Sequence, residues 1–230
     1  MDNAATQNQN IILIKPQTSA ENKYPSIIRF LAHFFSIIFH PLFIASYVMY
    51  FLLFIHTLAF AGLEKQMRIF RFLAVLLSTT LLPSFSVFLV WRLKLGTQSL
   101  QMKEPKERII PYALAMFFYW WAWNVFRNFP DNPPASVHFL LGSFLAVCGG
   151  WFSNIYFKIS MHALAVGGLV MFFILFSFAD GFSSGLYLSV ALLIAGIVCT
   201  SRLILSAHTF FEIYFGLLIG AVAQFIAWQF

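Results

Sequence analysis

Long apolar runs alternate along the chain with short polar connections. Each run is close to the ~20 residues that a helix needs to cross a bilayer. The apolar segment 25–40 before the first run is either an interfacial helix or the start of a longer first span. This pattern predicts an all-α, polytopic transmembrane helix bundle with about six to seven spans. The runs lie at about 35–56, 69–91, 111–126, 136–157, 163–179, 186–204 and 209–228.

Composition supports the membrane interpretation. Hydrophobic residues make up 60% of the chain, aromatic residues 19% and charged residues only 10%, which excludes an ordinary soluble domain. We predict a polar, disordered tail at 1–24, without the features of a cleavable signal peptide, and one transmembrane domain at 25–230. Cys148 and Cys199 fall inside apolar runs, where they are interpreted as small hydrophobic residues and not as a disulfide. The net charge of +6 is attributed to loops beside the membrane and not to nucleic-acid binding.

Three clusters of polar residues stand out against this background. They lie at 103–108 before the third run, at 158–162 after the fourth, and at 202–212 between the sixth and the seventh. Two spans separate each cluster from the next, and an even number of crossings returns the chain to the same face. The clusters are therefore expected to meet at one end of the bundle.

The third cluster contains a histidine and a carboxylate at helical spacing. His208 and Glu212 are four residues apart, so on a helix they share a face and the carboxylate accepts a proton from the imidazole. A histidine oriented in this way is a nucleophile or a general base. Arg202, six residues earlier, offers a fork of donors to an anionic group. The alternatives are an interfacial Glu212 solvated among head groups and an Arg202 that anchors a span end by snorkelling.

The second cluster, K-I-S-M-H, adds a hydroxyl and a second imidazole. Ser160 and His162 come at the predicted start of a helix, where backbone amides favour an anion. Two histidines from separate segments suit a two-step displacement, in which one attacks and the other protonates the leaving oxygen. The remaining histidines have no partners at matching spacing and are interpreted as structural: His33, His40, His56 and His138.

These residues resemble the signatures of the type 2 phosphatidic acid phosphatase family, which is related to vanadium haloperoxidases. Its third signature, S-R, five residues, H, three residues, D, is matched from Ser201 to Glu212, with Glu in place of Asp. Its second signature, P-S-G-H, is matched only at Ser160 and His162. Its first, K, six residues, R-P, is matched only by Arg108, because position 101 is Gln and Pro111 comes three residues after the arginine.

The resemblance covers about half of the chain, from roughly Lys103 to Gly220, and implies a phosphatase that needs no metal or other cofactor. His208 would attack phosphorus, Glu212 would orient it, and His162 would protonate the leaving group. The hydrophobic chain favours a lipid phosphate as the substrate and the bilayer as the other partner, with phosphatidate, phosphatidylglycerol phosphate and polyprenyl phosphates as candidates. The phosphate ligands implied are Arg202, Arg108, Lys103, Lys106, Ser160, Lys158 and Ser201.

The rival interpretation is a lipid-phosphate binding or transport protein on the same scaffold, favoured by the substitutions in the first two signatures. A purely structural membrane protein would leave the three clusters unexplained. The resemblance implies the bacterial inner membrane as the location. Lys and Arg number 10 on the side of the clusters and 4 on the other, which favours a cytoplasmic site. Without the proposed ligands Lys103, Arg108 and Arg202 the excess is small, so the face stays open.

Overall fold

The computed structural model describes residues 24–93, 109–179 and 185–230. Within these ranges the chain is all-helical and forms no β-strand. The predicted tail, apart from Tyr24, and the first polar cluster with Lys103, Lys106 and Arg108 lie outside the described residues. The helices are α1 (Ser26–Ile38), α2 (Pro41–Tyr50), α3 (Lys65–Leu76), α4 (Leu82–Arg92), α5 (Ile109–Arg127), α6 (Pro134–Tyr156), α7 (Met161–Ala179), α8 (Gly185–Ile204) and α9 (Phe210–Ala227).

Six helical stretches among the described residues are long and apolar enough to cross a membrane, and a bent seventh is formed by α1 and α2. The longest runs from Lys65 to Arg92 and joins α3 to α4 through a π-helical turn at Leu77–Leu81. A similar turn at Phe51–Ile55 extends α2. The prediction of a multi-pass helical membrane protein with six to seven spans is confirmed.

The segment before the first predicted span forms a separate helix. Helix α1 ends at Ile38, and α2 begins at Pro41 after a bend of 60°. The proline causes the break, because the residue before a proline is disfavoured in the α region, and His40 accordingly has extended backbone angles. A proline is well tolerated as the first residue of α2. Residues 35–38 of the predicted first span belong to α1, and the bend at 39–40 lies within that predicted span.

Helices α7 and α9 form the most intimate pair in the bundle. A Cβ atom added to Gly216 would lie 2.9 Å from the Ser160 carbonyl oxygen, and one added to Gly220 would collide with the Leu164 carbonyl. The small residues of α9 therefore let its backbone approach α7 within the same chain, in the small-xxx-small manner of membrane helices. Where the two helices begin, the Ser160 amide donates to the Glu212 carbonyl over 3.2 Å. The close packing fixes the starts of α7 and α9 relative to each other.

A buried arginine stabilises the end of the bundle opposite the starts of α7 and α9. Arg71 is 2% exposed, donates to Asn132 Oδ1 over 2.5 Å and lies 3.6 Å from Asp131 Oδ2. Its guanidinium also stacks over the Phe129 ring at 5.4 Å. These contacts tie α3 to the turn before α6 and pair the buried charge of Arg71.

Candidate active site

A cavity of about 440 Å³ opens where several helix ends meet. His162 and Arg202 line it together with His208, and so does His40 from the break between α1 and α2. The end of α8 and the starts of α7 and α9 thus lie at the same end of the bundle, as the even number of crossings predicts. This part of the expectation is confirmed for the second and third clusters, whereas the first cluster lies outside the described residues.

The end of α8 turns the chain back toward this cavity. The Ala207 amide donates to the Arg202 carbonyl over 3.1 Å, and the Ser206 amide donates to the Leu203 carbonyl over 2.9 Å. This is the hydrogen-bond pattern of a Schellman motif, whose central residue adopts the left-handed conformation. Ser206 does so with φ of 50°, at a position where glycine is more usual. The motif places Arg202 in the last helical turn and His208 just beyond the reversal.

His208 and Glu212 form the hydrogen bond expected from their spacing, with 2.6 Å between Nδ1 and Oε2. The local geometry differs from the prediction of a shared helix face. His208 precedes α9, Thr209 caps it, and Glu212 sits in its first turn. Because a carboxylate oxygen accepts, Nδ1 of His208 carries the proton, and Nε2 on the opposite ring edge has a free lone pair. His208 side-chain exposure is 6% and that of Glu212 is 19%.

Glu212 also stabilises the start of α9. Its Oε2 atom accepts from the Thr209 amide over 3.4 Å, and Thr209 Oγ1 accepts in return from the Glu212 amide over 3.3 Å. This reciprocal arrangement is a capping box. The cap holds the carboxylate where it also reaches His208.

Electrostatics keep His208 neutral. Burial lowers the pKa of its imidazole below the ordinary value of 6.5, and the charges of Lys158 and Arg202 act in the same direction. The hydrogen bond to Glu212 opposes this effect without reversing it. The Nε2 lone pair of His208 is therefore available at neutral pH.

The loop before α7 carries the second cluster to the same place. Nε2 of His162 donates to the carbonyl of Ser36 in α1 over 3.0 Å, a contact between residues 126 positions apart. A carbonyl can only accept, so the neutral His162 ring carries its proton on Nε2 and keeps Nδ1 as the acceptor. Lys158 does not line this cavity, and its Nζ donates to the Ala207 carbonyl over 3.0 Å. That bond joins the α6–α7 loop to the α8–α9 connection.

The two serines of the signatures have backbone partners. Ser160 is fully buried, and its hydroxyl oxygen accepts from the Ala163 amide over 3.3 Å at the start of α7. Ser201 is 3% exposed and donates to the Ile197 carbonyl over 2.7 Å. Both side chains stabilise the helices that carry His162 and Arg202.

His40 is the residue that spacing arguments missed. Interpreted as structural from the sequence, it lines the cavity and packs edge-to-face on His162 with ring centroids 5.3 Å apart. The signal available in the sequence is the pair His40-Pro41 between two apolar runs, which marks a helix break with a polar side chain beside it. His33 and His56, by contrast, do not line this cavity.

In the described part of the chain no group of three His, Cys, Asp or Glu side chains has the arrangement of a metal site. No protein-family model, curated protein or solved structure matches the chain.

Proposed function

We propose that the protein is an integral-membrane lipid phosphate phosphatase of the type 2 phosphatidic acid phosphatase kind, acting through a phosphohistidine. One observation carries the proposal: a neutral histidine oriented by a carboxylate lines the same cavity as an arginine and a second histidine. This is the arrangement that nucleophilic displacement at phosphorus needs, with the nucleophile, its orienting base and a positive group at one place.

In the first step the Nε2 lone pair of His208 forms a bond to phosphorus as the bond from phosphorus to the lipid oxygen breaks. The ring gains positive charge, which the Glu212 carboxylate stabilises. His162 donates a proton to the leaving oxygen from Nδ1 in its imidazolium form, because its Nε2 proton is held by the Ser36 carbonyl. The phosphate anion itself favours that protonated form. Arg202 stabilises the equatorial oxygens.

In the second step water attacks the phosphohistidine. Nδ1 of His162, now neutral, accepts the water proton, and the bond between phosphorus and His208 breaks to release inorganic phosphate. Both histidines return to their starting states, so no external acid, base or redox partner is consumed.

The cavity wall supports a lipid substrate. Besides the histidines and Arg202 it is lined by apolar or small residues of α2, α4 and α5, including Leu42, Val87 and Ala115. A phosphate bound at the polar end leaves the first carbons of its alcohol against this wall, within the hydrophobic depth of the bundle. We place the protein in the bacterial inner membrane as part of the proposal.

The test is phosphate release by purified protein in detergent with a chelator, over phosphatidate, phosphatidylglycerol phosphate and polyprenyl diphosphate. We expect His208→Ala to abolish turnover while the protein stays folded and monodisperse. His33→Ala is the matched control, because it removes an exposed histidine of α1 that does not line the cavity. Unchanged turnover in folded His208→Ala would overturn the mechanism.

Binding or transport of a lipid phosphate without cleavage is the second candidate. It is favoured by the hydroxyls of Ser160 and Ser201, which form hydrogen bonds to backbone atoms of their own helices and do not line the cavity. Silence across the substrate panel, together with saturable binding of the same lipids, would select it.

A further inference from the structure

His40 occupies an unusual position in the bundle. It lies between α1 and α2, outside both helices, and its Nδ1 accepts from the Leu42 amide over 3.4 Å to cap α2. Since Nδ1 is the acceptor, the neutral ring carries its proton on Nε2, at the edge of the ring away from its own backbone. His40 retains an exposed surface and lines the cavity that His162, Arg202 and His208 share.

We propose that His40 is a further oxyanion ligand of this site and donates its Nε2 proton to a phosphoryl oxygen. Capping alone does not require an imidazole, because Asn, Asp, Ser and Thr are the preferred caps. An imidazole that caps through Nδ1 differs from these shorter side chains in carrying a donor, Nε2, on the far edge of a ring. That donor belongs to a side chain that lines the cavity.

The surroundings of His40 support this role. The donor of His162 that would otherwise serve the anion, Nε2, is engaged by the Ser36 carbonyl. The Ser201 hydroxyl donates to the Ile197 carbonyl, and neither Ser160 nor Ser201 lines the cavity. His40 is the neighbour of His162 at 5.3 Å between centroids, so it adds a neutral donor beside the proposed general acid.

The helix break makes the position rigid. The last three α1 carbonyls have partners outside the helix: Ser36 accepts from His162, Ile37 from the His40 amide over 3.2 Å, and Ile38 from the Tyr47 hydroxyl over 2.7 Å. A donor held on such a scaffold binds an anion with little loss of side-chain entropy.

Two variants separate the donor from the cap. His40→Asn keeps a strong capping oxygen for α2 but has no donor at the reach of Nε2, because its amide is one bond shorter. His40→Gln supplies an amide donor at about the reach of Nε2 but caps poorly. The measurement is calorimetric titration of orthovanadate, which mimics the trigonal-bipyramidal phosphoryl group, into purified protein in detergent, with inorganic phosphate as a second probe. Melting temperatures and the separate kcat and KM of phosphate release accompany it.

We expect His40→Asn to melt like the parent protein and to bind orthovanadate at least about tenfold more weakly, the usual loss for a hydrogen bond to a charged group. His40→Gln is expected to melt lower and yet recover much of the binding. Equal binding by the parent and His40→Asn would overturn the proposal, and so would a parent protein that binds neither oxyanion.

A role of His40 in phosphate release rests on the proposed function, whereas its role in binding an oxyanion, which the titration measures, does not. One outcome is a parent protein that binds oxyanions but releases no phosphate, together with weaker oxyanion binding by His40→Asn. That outcome would support His40 as a ligand and refute the phosphatase. Phosphate release that needs His208 but is unchanged in kcat and KM by His40→Asn would support the phosphatase and refute the role of His40.

Discussion

Glu212 has two partners, and a single substitution separates them. Its carboxylate accepts from His208 Nδ1 over 2.6 Å and from the Thr209 amide over 3.4 Å. Glutamine fits the capping box as well as glutamate does, and its amide oxygen can still accept from both donors. Glu212→Gln therefore removes the negative charge while keeping the helix cap, and we expect it to change the free energy of unfolding by less than about 1 kcal/mol.

The cost to catalysis is larger because His208 becomes positively charged when it bonds to phosphorus. At the observed contact the charge centres are about 4 Å apart, and the attraction is about 4 kcal/mol at an effective dielectric constant near 20. Glu212 keeps 19% of its side-chain exposure, so solvent screens part of this attraction. A loss of about 2–4 kcal/mol corresponds to a fall in kcat of roughly 30- to 1,000-fold.

The assay is steady-state phosphate release, run beside thermal melting in the same detergent. Thr209→Ala is the matched control, since it removes the other half of the capping box and is expected to cost about 1 kcal/mol of stability with the carboxylate still in place. Below its melting temperature this variant should retain most of its kcat. Parent-like turnover by Glu212→Gln, or equal losses of activity in the two variants, would show that Glu212 is only a helix cap.

Three further predictions concern packing, backbone conformation and pH. Gly220→Ala should lower the melting temperature and cost about 1–3 kcal/mol of unfolding free energy, because its methyl group meets the Leu164 carbonyl. Gly196→Ala is the control and should melt like the parent, because its methyl group meets nothing within 4 Å. Ser206→Gly should stabilise the protein by up to about 1 kcal/mol in thermal melting, since relief of the strain at φ of 50° outweighs the added entropy of the unfolded chain; a lower melting temperature would contradict this. Because the folded-state pKa of His208 is lowered, its contribution to stability is present above pH 6.5 and is lost as pH falls from there through the folded pKa; melting of His208→Gln across pH 4–7 should show a shallower loss than the parent.

Much of the fold follows from the pattern of apolar runs, for a simple physical reason. In a bilayer each span must satisfy its own backbone hydrogen bonds, so a run of the right length is a helix and little else. The break at Pro41 was not predicted, since the span predicted at 35–56 runs across it, but the close approach at Gly216 does follow from its small-xxx-small spacing with Gly220. The two π-helical turns do not, because Leu77–Leu81 and Phe51–Ile55 carry no distinctive pattern.

Some features of the candidate site likewise follow from the sequence, and others do not. Even crossing numbers bring His162 and His208 to one end of the bundle, and four-residue spacing pairs His208 with Glu212; both follow from the sequence. The backbone bonds of Ser160 and Ser201 do not follow, since a hydroxyl at a helix terminus has ligand and backbone partners within equal reach. The residue resemblance suggests a role for these serines in holding phosphate, and their contacts show a role in holding the helices.

The contact between His162 and Ser36 shows why the N-terminal segment belongs to the site. It joins residues 126 positions apart, and no spacing rule within one helix predicts such a contact. It depends on α1 ending at Ile38, because only the last carbonyls of a helix lack partners within it. Pro41 sets that end, and His40 is the residue that the break leaves between the two helices. A proline in an apolar run thus ends a helix, frees its carbonyls for one histidine and places a second histidine beside it.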